Sequence, residues 1–225
     1  MYQHRLAAGI IVVANRTDDP RLQEAWKMKV PIVLIPGFPW KQQIPCVDGD
    51  SVNGVFKAVN YLVGLGHKRI AFLNGPSNSK YTLERLEAFR QALRRTHLPF
   101  DESILREYDF TQEMGYEKMK ELLRGKEIPS AVLMINDYSA MGVFQAAKEM
   151  SLRIPFDISV VGFGDIPFAH MMDPPLTTVH LPFHEVGYKA AEMVIRLMQG
   201  KKLKQKHIIF PTELIIRKST ASVMN

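Results

Sequence analysis

Short apolar runs alternate along the chain with stretches in which apolar residues return every three or four positions. Runs of four to six β-branched or aliphatic residues are found at Ile10–Val13, Ile32–Ile35, Ile70–Leu73, Leu105–Phe110, Ala131–Ile135, Ser159–Phe163 and His207–Phe210, and each reads as a buried strand. The segments between them have helical period. The clearest opens at Asp50-Ser51, plausible capping residues, and carries Val52, Val55, Phe56, Val59, Leu62 and Val63 on one face before Gly64 and Gly66 stop it. Leu83, Leu86, Phe89 and Leu93 repeat the stripe, as do Val143, Phe144, Ala147 and Met150, and all of these are expected in the core. Gly125 and Gly200 read as helix stops, and Pro155 as a loop before the next strand. Such alternation predicts βαβ units around a mostly parallel sheet.

The densest signal lies between Ile154 and Thr178. Ile158 to Asp165 reads as a buried strand broken abruptly by Gly164-Asp165, and Pro174-Pro175 follows as a rigid turn. In an open α/β sheet, ligands bind outside the carboxyl ends of the strands. The residues ending the apolar runs are therefore the candidates for function: Asn74-Gly75, Phe110, Asn136-Asp137 and Gly164-Asp165. Arg85 joins them from the first turns of the helix after the Ile70 strand, where a guanidinium can reach over the sheet end. Asp137 is expected to cap the helix that starts near Ser139.

Chemistry of other kinds is poorly supported. Gly64-Leu-Gly66 lacks a third glycine and follows a helix, so no dinucleotide fingerprint is present, and neither a phosphate loop nor a GxSxG elbow occurs. His180 and His184 are four apart, but Pro182 interrupts the helix that would align them on a metal. His67, between Gly66 and a strand, is expected to make a turn-side hydrogen bond. No catalytic set, cofactor or metal is expected, and the chain does not read as an enzyme.

With 225 residues, 46% hydrophobic and 23% charged, the chain has the composition of a globular protein of one domain or two lobes. The net charge of +6 is scattered; its one run, Lys201-Lys-Leu-Lys-Gln-Lys206, reads as a solvated loop between a helix and the last long strand. Cys46 is the single cysteine, which excludes an internal disulfide and fits a reducing compartment; with no signal-like or membrane-length apolar segment, a cytoplasmic location is expected. On that basis the Asn15-Arg-Thr17 sequon carries no meaning.

Taken together, Asp50-Ser-Val-Asn-Gly54, Tyr61 to Ile70, Gly75-Pro76, Arg85, Asn136-Asp137, the Ile154 to Thr178 block and Arg217-Lys-Ser219 resemble the lactose/galactose repressor (LacI/GalR) family of bacterial transcription regulators over essentially the whole chain. The resemblance implies a periplasmic-binding-protein-like α/β fold of two parallel-sheet lobes, 1–48 with 182–211 and 49–181 with 212–225, binding a small-molecule effector between them and forming a homodimer. It further implies Arg85 as the effector-contacting arginine, Asn136 as a polar contact, Phe110 as an aromatic wall, Ser79 and Tyr81 in the loop feeding the pocket, and Asp165 beside it.

Three departures stand out. Gly164 and Pro36 occupy positions where the family commonly has carboxylates. The family's headpiece, hinge and first β-α-β-α of the amino-terminal lobe have no counterpart before Gln3. That lobe is thus expected to be truncated, to hold only the Ile10, Ile32 and His207 strands, and to meet operator DNA only through a headpiece absent from this sequence. The alternatives are a solute-binding protein for transport and an effector-free structural dimerisation domain.

Overall fold

The computed structural model describes residues 7–13, 20–35, 44–107 and 109–223. Pro36 and the Asn15-Arg-Thr17 sequon lie outside them. By its internal contacts the chain divides into two compact units. The first comprises residues 1–50, 78–80 and 182–211; the second comprises 51–77, 81–181 and 212–225. Among the described residues no helix is long and apolar enough to cross a membrane.

In the first unit β1 (Ile10–Val13), β2 (Ile32–Ile35), β3 (Cys46–Gly49) and β9 (His207–Phe210) form a parallel sheet in the order β1-β2-β3-β9. Two helices, α1 (Pro20–Lys27) and α6 (Phe183–Met198), belong to the same unit. Alternation along β2 sorts the core by face. Ile32 and Leu34 pack with Ala25 of α1. Val33 packs instead with Val47 and with Val186, Ala190, Met193 and Val194 of α6. A period of two on the sheet and of about 3.6 on each helix thus covers both faces. The sheet has four strands rather than the three expected from sequence. β3 escaped notice because Cys46-Val-Asp-Gly49 is short and half polar, yet Asp48 is buried: its Oδ2 lies 3.1 Å from the Nζ of buried Lys80. Burying either charge without the other costs about 3–5 kcal/mol, so the pair holds as a unit.

The second unit is a six-stranded sheet in the order β10-β8-β7-β6-β4-β5. Its strands are β4 (Ile70–Asn74), β5 (Leu105–Glu107), β6 (Ala131–Met134), β7 (Ser159–Gly164), β8 (Thr177–His180) and β10 (Glu213–Ile215), all parallel except β10 on β8. Helices α2 (Ser51–Gly64), α3 (Lys80–Arg95), of which Lys80 belongs to the first unit, α4 (Gln112–Leu123) and α5 (Asp137–Glu149) connect them. Every residue of β4, β6 and β7 is buried, as expected of parallel strands covered on both faces. Fully burying a Val, Leu, Ile, Phe or Met side chain contributes about 1.5–3 kcal/mol, and the core is dominated by such residues.

Some expectations need correcting. Val52, Leu83 and Met150 are exposed; on α3 the buried stripe runs Thr82, Leu86, Phe89, Leu93, and Leu83 lies beside it. The strand expected to reach Phe110 stops at Glu107, because Phe110 adopts φ +73 in a bend that extended backbone does not allow. β8 and β10 were not anticipated. Thr177 and Thr178 look polar, but both are fully buried and their hydroxyls are bonded inside the fold.

The closing segment is stitched to the second sheet. Ser219 Oγ accepts from Thr177 N at 2.8 Å and donates to Val160 O at 2.6 Å, while Arg217 Nη1 donates to Leu176 O at 2.8 Å. His67, almost fully buried, spans Ser130 Oγ (Nδ1, 2.9 Å) and the Ala221 carbonyl (Nε2, 3.1 Å). Burial pushes its imidazole below the ordinary value of 6.5, against the opposing effect of the Ala221 carbonyl. The folded state therefore refuses a proton that the unfolded chain accepts, so the stability tied to neutral His67 is complete above about pH 6.5 and drains away as pH falls through the folded value. Urea unfolding followed from about pH 7.5 to about pH 5.5 is expected to lose stability more steeply in the wild type than in His67→Gln; parallel profiles would refute this.

Candidate functional site

Four strand ends of the second unit bring chemistry together. Asn74 closes β4, and Gly75 behind it lets the chain pass against Phe110: a Cβ at residue 75 would stand 2.5 Å from Phe110 Cε1 and 2.6 Å from Thr82 Oγ1. The Phe110 ring, the Thr82 hydroxyl and the end of β4 are thus in mutual contact. Asn74 Nδ2 donates to Thr82 O at 3.1 Å. Asn74 Oδ1 and Thr82 Oγ1, both in fully buried residues, have no hydrogen-bond partner among the described residues. Asn74 was among the strand-end candidates of the sequence, whereas Thr82 was not; the signal that finds Thr82 is burial without a partner among the described residues.

Arg85 reaches the same ends from α3. Its Nη1 donates to Ile135 O, one residue past β6, at 2.7 Å, and its guanidinium lies 3.7 Å from the centre of the Phe163 ring and 4.9 Å from that of Tyr81. It is buried, which a guanidinium tolerates when stacked and hydrogen-bonded. Asn136 performs the capping expected of Asp137: its Oδ1 accepts from Ser139 N at 2.8 Å, and its Nδ2 donates to Phe110 O at 3.2 Å. The fold thus joins Arg85, Tyr81, Phe110 and Asn136 into one group at the ends of β4, β6 and β7 and the loop after β5.

Asp137 is the first residue of α5 and a structural hub. Its buried carboxylate accepts from Thr178 Oγ1 at 2.5 Å and from Ile166 N at 2.9 Å. Burial raises its pKa above the usual aspartate value, and these hydrogen bonds hold the rise in check.

The other two candidates stand differently. Asp165 has both carboxylate oxygens taken up, by Arg217 Nη2 at 2.7 Å and by His180 Nδ1 at 3.1 Å. Ser79 belongs to the first unit, where its Oγ is buried without a partner among the described residues. In that unit burial, then the Asp48 charge, pushes the Cys46 thiol up to about 11, so it is not a nucleophile at neutral pH. Among the described residues no group of His, Cys, Asp and Glu is placed to hold a metal.

Gly164 now has a conformational reason. Its φ of +133 is open to glycine and rarely adopted by L side chains, and Asp165 follows at +57. The missing carboxylate and the shape of this turn are one feature.

Two parallel sheets clothed in helices, the second with its polar groups gathered at the strand ends, define a periplasmic-binding-protein-like α/β protein. A family model described as a periplasmic binding protein-like domain matches residues 59–220. Over 215 residues the chain is 34% identical to the HTH-type transcriptional repressor CytR of Escherichia coli K12, an alignment taking in 96% of this chain and 63% of that repressor. Its fold is similar to that of a LacI transcriptional regulator from Bacillus cereus subsp. cytotoxis, with a TM-score of 0.94 at 29% identity over 99% of this chain and 79% of that one. A LacI-family regulator from Enterococcus faecium solved with bound ribose gives 0.87 at 26% identity over 99% and 82%. A regulatory protein of the LacI family from Chloroflexus aggregans is 32% identical over 97% of this chain and 79% of that one, with a TM-score of 0.87, so the chain belongs to the LacI family; it spans 63% of the length of the repressor it matches.

Replacing Gly164 by Asp, as the family pattern would suggest, is expected to cost about 1–3 kcal/mol of stability through backbone strain, read as a lowered urea midpoint. An unchanged midpoint would show that this turn accepts side chains freely.

Proposed function

We propose that the chain binds a small neutral effector, a sugar or nucleoside, at the strand ends of the second unit, and that in the longer protein this binding governs a DNA-binding segment at an operator. The observation that carries the reading is the pair of buried, unpartnered oxygens, Asn74 Oδ1 and Thr82 Oγ1, beside the Phe110 ring. A buried polar atom left unsatisfied costs about 1–3 kcal/mol, so a fold that keeps two of them in one place gains when a ligand hydroxyl or amide completes them. Arg85, Asn136 and Tyr81 supply further donors and a ring face, and Asp165 is kept as a contact on the family resemblance.

In this reading the two units are the two lobes, effector binding favours one state of the regulator over the other, and no reaction is catalysed. A cytoplasmic location follows from the role in transcription. Transport is the weaker reading, because the relatives are transcription regulators. Homodimerisation is supported by the exposed apolar side chains of Tyr138, Phe156, Phe168 and Met171 on the second unit.

Thermal-shift screening with ribose, other sugars and nucleosides is expected to yield a ligand, and Thr82→Val should separate its two consequences. The unliganded variant becomes more stable by about 1 kcal/mol, because an unsatisfied hydroxyl is replaced by a methyl group, while the ligand-induced shift shrinks; Arg85→Ala abolishes the shift. A panel with no shift, or both variants responding like the wild type, would overturn the assignment. In sedimentation the wild type is expected to run as a dimer and Phe168→Glu/Met171→Glu as a monomer; a monomeric wild type would remove the dimer from the proposal.

A further inference from the structure

The lysine run read in the sequence as solvated loop has a second half elsewhere in the chain. In the first unit, Lys201, Lys202 and Lys206 line a depression of about 830 Å³ together with Lys27 and Lys29, which come from the end of α1. The same depression has an apolar lining: Trp26 of α1, Val30 and Pro31 just before β2, Pro45 just before β3, and Leu203 in the loop after α6. Among the described residues none of the five lysines forms an ion pair with a carboxylate, although Lys118, Lys189 and Lys80 do.

One structural explanation is that lysines near helix ends answer the helix dipole, since α1 and α6 both finish here. Magnitude decides against it as a full account. Each carboxyl terminus carries about half a negative charge, roughly one together, against five positive ones. A surplus of about four positive charges surrounds a concave apolar surface within the size range of small-molecule sites.

The geometry points to a second ligand site in this depression, for a small organic polyanion with a planar apolar body, of which a nucleoside diphosphate is the type. Ammonium groups on flexible stems match two or more anionic groups of variable spacing, and Trp26 with the other apolar lining residues gives a base or similar ring an apolar surface. A duplex backbone would use the lysines but not the apolar lining, so a compact ligand fits better than nucleic-acid backbone. The site shares no residue with the Arg85 group, and its status does not depend on the effector reading.

Isothermal titration of the 225-residue chain with ADP, pyrophosphate and adenosine tests this. ADP is expected to bind, pyrophosphate more weakly and adenosine more weakly still. Raising NaCl from about 50 to about 500 mM should loosen ADP roughly tenfold. Lys27→Ala/Lys202→Ala/Lys206→Ala, checked for an unchanged circular dichroism spectrum, is expected to weaken ADP by about 30-fold, the combined effect of three exposed charge contacts. Measured in an Arg85→Ala background, in which the strand-end site is disabled, the same order of affinities is expected, which keeps this result separate from the strand-end effector. The inference is overturned if neither ADP nor pyrophosphate binds, if the triple variant or the higher salt leaves affinity intact, or if a short DNA duplex displaces ADP from the wild type, which would assign the lysines to backbone phosphates.

Discussion

The inner strands of a parallel sheet buried on both faces have no free backbone except at their ends, and this constraint organises the second unit. β4, β6 and β7 are sealed along their whole length. Any ligand chemistry is thereby confined to the residues just past their carboxyl ends, where the chain must turn and backbone groups need new partners. Arg85 meets one such need at Ile135 O, and Asn136 meets others at Ser139 N and Phe110 O. What remains unmet, Asn74 Oδ1 and Thr82 Oγ1, is what a bound molecule would complete.

The opposite boundary of the same unit is closed by covalent continuity rather than by a ligand. The segment from Arg217 to Val223 returns along β7 and β8 and supplies hydroxyl and backbone groups that their edges lack, through Ser219, Thr220 and Ala221. His67 fastens this segment to the turn after α2. Seen this way the Arg217-Lys-Ser219 motif is a clasp, and Asp165, tied to Arg217 and His180, belongs as much to the clasp as to any ligand surface.

Polarity misleads sequence reading in both units for one reason. Asp48, Lys80, Thr177, Thr178 and Asp137 are all polar and all buried, because each finds a partner from a distant part of the chain. Low-dielectric surroundings make such pairs costly to separate, and so they mark positions where packing has been specified. The lysines around the Trp26 depression are the reverse case: exposed, charged and, among the described residues, brought together without carboxylates.

The alternation of apolar runs and helical stripes determined the α/β class and seven of the strands, because periods of two and 3.6 are local properties that burial then enforces. Phe110 and Asn136 were legible as residues ending apolar runs for the same reason, and Arg85 as a residue of the helix that follows one. The partners of those residues were not legible. That Asn136 rather than Asp137 caps α5, that Gly164 answers to a φ of +133, and that β3, β8 and β10 exist despite their polar residues were settled by the closed fold, in the case of β3 by pairing Cys46 with the distant His207. Lys27 and Lys29 meet Lys201, Lys202 and Lys206 on the same terms. Local pattern carries no information about which distant group will satisfy a buried charge or gather a set of exposed ones; only the closed fold supplies it.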